Sequence, residues 1–174
     1  MIPTEPIGSI PRPAELIHGI EAFSAGRISR SDLDVLYHSA IRNTIERFEA
    51  TGSPVITDGE QSKESFVTYP LQGLENLAPD GVPIPFADGH IRHLPRLITG
   101  PFRYRTSADV YLETAQRYAH VPLKQAVISV SALSLLYPQG GLAGYSREDY
   151  LSAVVAEQEG CLLYTSPSPR DRQK

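Results

Sequence analysis

Residues 54–60 read Pro54-Val55-Ile56-Thr57-Asp58-Gly59-Glu60, and this stretch decides the fold class. Val55-Ile56-Thr57 is a short β-branched run of the kind that fills a buried strand. Pro54 bars helix on its near side, and Asp58-Gly59-Glu60 follows as a turn carrying two carboxylates. Before the run lies a helical pattern from Ser31, with Ser31 and Asp34 as a capping box. Its Leu33, Leu36, Tyr37, Ala40, Ile41, Thr44, Ile45 and Phe48 recur at spacings of three and four. Gly52 ends it. After the run the pattern predicts a helix from Ser62 to about Leu71. Helix, strand, acidic turn and helix form the repeating unit of a parallel α/β sheet.

Working toward the start, residues 3–9 are expected to be extended up to Gly8-Ser9, and Pro11 and Pro13 then open a helix. Working toward the end, residues 73–90 are rich in Gly, Pro and Asp, and Asp88-Gly89 is a strong hairpin signal. His90–Leu97 reads as a third strand and Ser107–Ala119 as a helix with Tyr111, Ala115 and Tyr118 on one stripe. Leu123–Val130 reads as a buried parallel strand. Ser146 with Asp149 caps a last helix whose Tyr150, Leu151, Val154 and Val155 face inward and whose pattern breaks at Gly160. A doubly wound sheet is the other α/β arrangement open to this pattern, but no G-x-G-x-x-G follows the first strand to support dinucleotide binding.

The 174 residues suit one domain, and 41% hydrophobic residues with a mean hydropathy of -0.21 mark a globular chain. No stretch reaches the roughly 18 apolar residues of a membrane helix, and the Met1-Ile2-Pro3 start lacks the charged and apolar regions of a secretory signal. A cytoplasmic location and no membrane partner are therefore expected. The net charge of -4 offers no concentrated basic surface for nucleic acid. Cys161 is the single cysteine, which excludes an intrachain disulfide framework. From Cys161 onward, CLLYTSPSPRD resembles the translation of a transposon-type sequencing adapter, so residues 1–160 are expected to be one incomplete domain and 161–174 a non-native tail.

Ligands of parallel α/β folds sit at the carboxyl ends of strands. Four segments lie there. Ile7-Gly8-Ser9 offers close backbone approach and a hydroxyl, or is simply a turn. Asp58-Gly59-Glu60 offers two carboxylates for an ammonium group, proton transfer or a hard cation, or is a solvated helix entry. Ser129-Val130-Ser131 offers two hydroxyls, or a helix N-cap. Arg92, Arg96, Arg103 and Arg105 could pair with carboxylates, or form a solvated loop. His90 and His93 lie on opposite faces of an extended segment and do not suit one metal, and His18, His38 and His120 have no partner at ligand spacing. No G-x-S-x-G elbow marks a serine nucleophile.

Ile7-Gly8-Ser9-Ile10-Pro11-Arg12, Val55-Ile56-Thr57-Asp58-Gly59-Glu60 and Pro122-Leu123-Lys124-Gln125-Ala126-Val127-Ile128, in that order and spacing, resemble the catalytic barrel of the cobalamin-independent methionine synthase family, above all its short single-barrel members. The resemblance implies the N-terminal part, about four βα units, of a TIM (β/α)8 barrel, which needs about 250 residues and eight units. It implies methyl transfer from 5-methyltetrahydrofolate to the thiol of homocysteine, giving methionine. It further implies zinc, which activates that thiol as a thiolate through a His-x-Cys pair, a glutamate and another cysteine that lie on strands not present here. By the same resemblance Ile7, Gly8 and Ser9 cradle the amino-acid part of homocysteine and Glu60 holds its ammonium group, while Asp58, Ser129 and Ser131 lie near the substrates. The chain departs from full-length synthases in having Asp58 where they have histidine, and Ser129-Val130-Ser131 where they have Thr-Gly-Pro. These departures keep open a second reading, a zinc enzyme that adds a coenzyme M-type thiol to epoxides. A third is that the chain alone is inert, because half a barrel exposes a sheet edge.

Overall fold

The computed structural model describes residues 4–165. The chain divides into two compact units, Met1–Glu64 with Ala108–Ala126, and Ser65–Ser107 with Val127–Lys174.

The first unit contains helices α1 (Ala14–Ser24), α2 (Arg30–Glu49) and α3 (Asp109–Gln116). Pro13 stands immediately before α1, where its missing N–H costs nothing. The cap of α2 sits two residues earlier than the sequence pattern places it. The Ser29 hydroxyl accepts the Asp32 amide and Asp32 answers on the Ser29 amide, because a serine with extended backbone just before the first turn captures orphan N–H groups best. Leu16 of α1 packs with Leu33 and Ala40 of α2. On the other flank of α2, Ile41 and Ile45 close over Ile56 and Ala115.

The parallel pairing expected around Val55-Ile56-Thr57 is a single bridge, Ile56 to Leu123, in which the Ile56 amide donates to Pro122 at 3.0 Å and the Lys124 amide to Ile56 at 2.9 Å. The expected strand over residues 3–9 is absent among the described residues. Pro6 removes a ladder donor there, and the stretch is tied by loop bonds: the Ser53 hydroxyl to the Thr4 carbonyl at 2.7 Å and, just beyond it, the Ile10 amide to the Gly59 carbonyl at 3.1 Å. Nor does Leu123–Val130 form a longer strand.

The helix expected over Ser62–Leu71 is replaced by turns and one 3₁₀ turn, Tyr69–Leu71. Two causes act locally. The Ser65 hydroxyl accepts the amides of Val67 and Thr68 at 3.2 and 3.4 Å, competing with a helical ladder, and Pro70 disfavours helix in the residue before it.

In the second unit, β2 (Pro83–Pro85) pairs antiparallel with β3 (Ile91–His93), and β1 (Leu77–Ala78) with β4 (Arg96–Leu97). His90–Leu97 therefore does not join a parallel sheet. The turn at Asp88-Gly89 closes the β2–β3 hairpin: Gly89 has φ 87° and its amide donates to Phe86 at 2.9 Å. The Ser129 hydroxyl caps the short α4 (Val130–Leu133). The Ser146 hydroxyl accepts the Asp149 amide at 3.0 Å and starts α5 (Arg147–Thr165). Tyr150 and Val154 face the core as expected, whereas Val155 is exposed. Tyr150 stacks edge-on against Phe102 at 5.2 Å and donates to the Leu133 carbonyl at 2.5 Å. The helix does not break at Gly160. Nothing lies within 4 Å of a side chain placed there, so the glycine costs helix propensity alone, and the next residue, Cys161, is buried. Of the expected tail 161–174, residues 166–174 lie outside the described residues.

Candidate functional site

The first unit brings the loops 8–12 and 57–63 together. Thr57 joins them: its hydroxyl donates to the Gly8 carbonyl at 3.1 Å and accepts the Gly59 amide at 3.2 Å. The Asp58 carboxylate accepts the Glu60 amide at 3.0 Å through Oδ1. This local capture turns the chain through two successive left-handed residues, Gly59 at φ 67° and Glu60 at φ 55°. A non-glycine residue in that region costs roughly 1–2 kcal/mol and persists because its surroundings hold it.

The consequence is the placement of Glu60. Its carboxylate lies over the backbone of Gly8, where an added Cβ would stand 3.2 Å from Oε1, and the residue is only 7% exposed. Glycine at position 8 leaves room for that carboxylate. Lys63 is buried, donates from Nζ to the Ala126 carbonyl at 2.8 Å and stands 5.2 Å from the Tyr111 ring centre. Arg12 spans the loops, donating to the Gln61 carbonyl at 3.0 Å, the Glu60 carbonyl at 3.3 Å and the Lys63 carbonyl.

Burial raises the Glu60 carboxyl above the ordinary glutamate range and outweighs the opposing pull of Lys63; the negative charge of Asp58 pushes the same way and Arg12 against it. The Tyr111 hydroxyl is pushed up to about 12, chiefly by burial, and stays protonated at neutral pH.

Of the residues expected at the site, Gly8, Asp58 and Glu60 meet. Ile7 is 94% exposed and Ser9 is exposed, so their side chains do not line the Gly8–Glu60 contact. Ser129 and Ser131 belong to the second unit, are exposed, and bond to each other at 3.0 Å while Ser129 caps the Ala132 amide. Helix capping by Ser129 is one of the two readings of that segment. Arg96 is taken up by Asp80 through paired contacts of 3.0 Å, Arg103 by Glu157 at 3.5 Å, and Arg92 lies over the Phe86 ring.

The sequence pattern does not single out Thr57, Lys63, Arg12 or Tyr111 as site residues. Arg12 carried a signal, since it closes the Ile7–Arg12 motif. A lysine in a predicted helix carries none, because lysines there are ordinarily exposed.

Among the described residues no group of three or more His, Cys, Asp or Glu side chains is placed to hold a metal ion. The described residues do not fit zinc; what they offer is a buried carboxylate beside a bare glycine backbone, which can accept hydrogen bonds from a cationic group. Among the described residues no helix is long and apolar enough to cross a membrane.

No protein-family model matches the chain. Over 69 residues it is 36% identical to the methionine synthase of Sulfurisphaera tokodaii, covering 40% of this chain and 20% of that protein. It is 32% identical to the methionine synthase of Sulfolobus acidocaldarius over the same length and shares. In fold it matches the B12-independent methionine synthase of Shewanella sp. W3-18-1, with a TM-score of 0.65 and 18% identity over 93% of this chain and 48% of that one. The chain thus matches about a fifth of the length of these curated relatives and about half of the solved structure. Over 69 residues the chain is thus similar to curated methionine synthases, and its fold is similar to that of a B12-independent methionine synthase.

Proposed function

We propose that this chain supplies the amino-acid-binding part of a methyltransferase of the methionine synthase type, whose whole reaction moves a methyl group from 5-methyltetrahydrofolate to the thiol of homocysteine. The observation that carries the proposal is the buried Glu60 carboxylate poised over Gly8. In this reading residues 1–160 are the opening of a (β/α)8 barrel in the cytoplasm, 161–174 are not native, and the zinc that makes the thiol reactive is held by residues outside this chain.

Glu60 receives the ammonium group of homocysteine, Gly8 keeps the approach open, and the backbone of Ile7–Ser9 faces the amino-acid carboxylate. Arg12, Thr57 and Lys63 position the loops and touch no reacting atom. Glu60→Gln keeps the shape and removes the charge. Titration calorimetry on the 174-residue chain is expected to show L-homocysteine affinity reduced by about tenfold or more, with that for 5-methyltetrahydrofolate changed less than about twofold. Equal loss of both ligands counts against the assignment.

The raised pKa of Glu60 sets the pH dependence. Only the ionised carboxylate pairs with ammonium, so affinity is full above the raised pKa and is lost as pH falls through it. The loss should begin above the ordinary glutamate range near ~4.3, and be absent in Glu60→Gln. For stability the sign reverses: the raised pKa favours the fold at low pH, and that contribution disappears as pH rises through it. Glu60→Gln is therefore expected to melt at or above the temperature of the unaltered chain at pH 7; a lower melting point would show that Glu60 is a structural anchor.

A further inference from the structure

Of the four arginines that the sequence offers as carboxylate partners, three are engaged: Arg96 by Asp80, Arg92 by the Phe86 ring and Arg103 by Glu157. The Arg105 guanidinium has neither a hydrogen bond nor an ion pair among the described residues. Its base is nonetheless fixed. The Arg105 amide donates to the Pro70 carbonyl at 2.8 Å, and its stem lies against the Gly73 turn, where an added Cβ would stand 3.9 Å from Cγ.

This arginine lines a cavity of about 490 Å³ inside the second unit, with Arg103 and Tyr104 beside it and Ala156, Glu157 and Gly160 of α5 opposite. That volume falls within the roughly 300–1,000 Å³ of small-molecule sites. The space exists because α5 presents its two smallest residues one turn apart, and nothing lies within 4 Å of a Cβ added at Gly160. The charges on the wall do not cancel. Glu157 is occupied, since Oε2 accepts the Tyr104 amide at 3.1 Å and Oε1 lies 3.5 Å from Arg103, which leaves Arg105 as one net positive charge.

We propose that this cavity is a binding site for a small apolar monocarboxylate, gripped by Arg105 and seated on Ala156 and Gly160. The guanidinium fork matches a carboxylate through two parallel hydrogen bonds, and a carboxylate carries the single charge required. A phosphate group, at about -1.5 to -2, brings surplus charge beside Glu157. The site is independent of the amino-acid reading of Glu60, which belongs to the other unit.

Hexanoate is the probe. In a two-dimensional NMR titration of the 174-residue chain at pH 7, amide shifts at residues 103–105 and 156–160 are expected to saturate with a Kd of roughly 1 mM. Hexanol and inorganic phosphate should bind about tenfold more weakly or worse. Arg105→Gln is expected to weaken hexanoate about tenfold, and Gly160→Leu, which fills the cavity with a better helix former, to abolish saturation. Neither variant should melt more than about 2 °C below the unaltered chain. Hexanol or phosphate binding as tightly as hexanoate, or full affinity in Arg105→Gln, overturns the carboxylate assignment. So do hexanoate shifts confined to residues 8 and 57–60. Cys161 also lines the cavity, and loss of binding in Cys161→Ala would make the site a product of the expected tail and overturn it as well.

Discussion

Gly59→Ala is expected to destabilise the chain by roughly 2–4 kcal/mol, the sum of two distinct costs. The first is conformational: Gly59 sits at φ 67°, where an L side chain collides with its own backbone. The second is packing, because the new Cβ would stand 2.7 Å from Cγ1 of Ile10 and 2.9 Å from Cγ2 of Thr44. Thr44 is buried on α2 and cannot easily yield. Gly52→Ala isolates the first cost, since Gly52 has φ 75° with nothing within 4 Å of an added Cβ. At about 2–4 °C per kcal/mol, the Gly59 variant should melt several degrees below the Gly52 variant in a circular-dichroism scan. Equal melting temperatures would mean that the loops at 8–12 and 57–63 are not locked as described. Because Gly59 lies between Asp58 and Glu60, the same variant should lose amino-acid binding along with stability.

Ile45→Ala is the other large effect. Ile45 is fully buried beside Ile41, Ile56 and Ala115, and truncating such an isoleucine costs about 2–5 kcal/mol through lost transfer energy and the cavity left behind. Val35 on the same helix is 67% exposed, and Val35→Ala should be nearly neutral. The connection to the site runs through Ile56, whose bridge to Leu123 ends where Thr57 begins. Amide exchange at residues 57–60 should therefore quicken in Ile45→Ala and not in Val35→Ala. Unchanged exchange at those amides would place their support elsewhere than in this core.

Three of the corrections along the chain share a physical origin. Val55-Ile56-Thr57 and Leu123–Val130 have strand composition, but a strand needs neighbours to accept its hydrogen bonds, and here each contributes to one bridge. Ser62–Leu71 has a helix-like pattern, but Ser65 and Pro70 offer the backbone cheaper local alternatives. His90–Leu97 has extended character, and the Asp88-Gly89 turn sends it back antiparallel beside its own predecessor.

What the amino-acid sequence determined by itself is the set of features whose energetics are confined to a few neighbouring residues. These are the helix of residues 30–49 and its stop before Gly52, the Asp88-Gly89 reversal, the caps at Ser129 and Ser146, and Gly8, Asp58 and Glu60 as residues worth watching. Only the tertiary structure decided that Glu60 would be left-handed and laid over Gly8, that Asp58 would be buried with one oxygen unpaired among the described residues, and that Lys63 would bond to the Ala126 carbonyl and Arg12 to the carbonyls of residues 60, 61 and 63. Those outcomes depend on desolvation and on hydrogen bonds between segments about fifty or more residues apart, such as Thr57 to Gly8 and Lys63 to Ala126, and no local propensity encodes them.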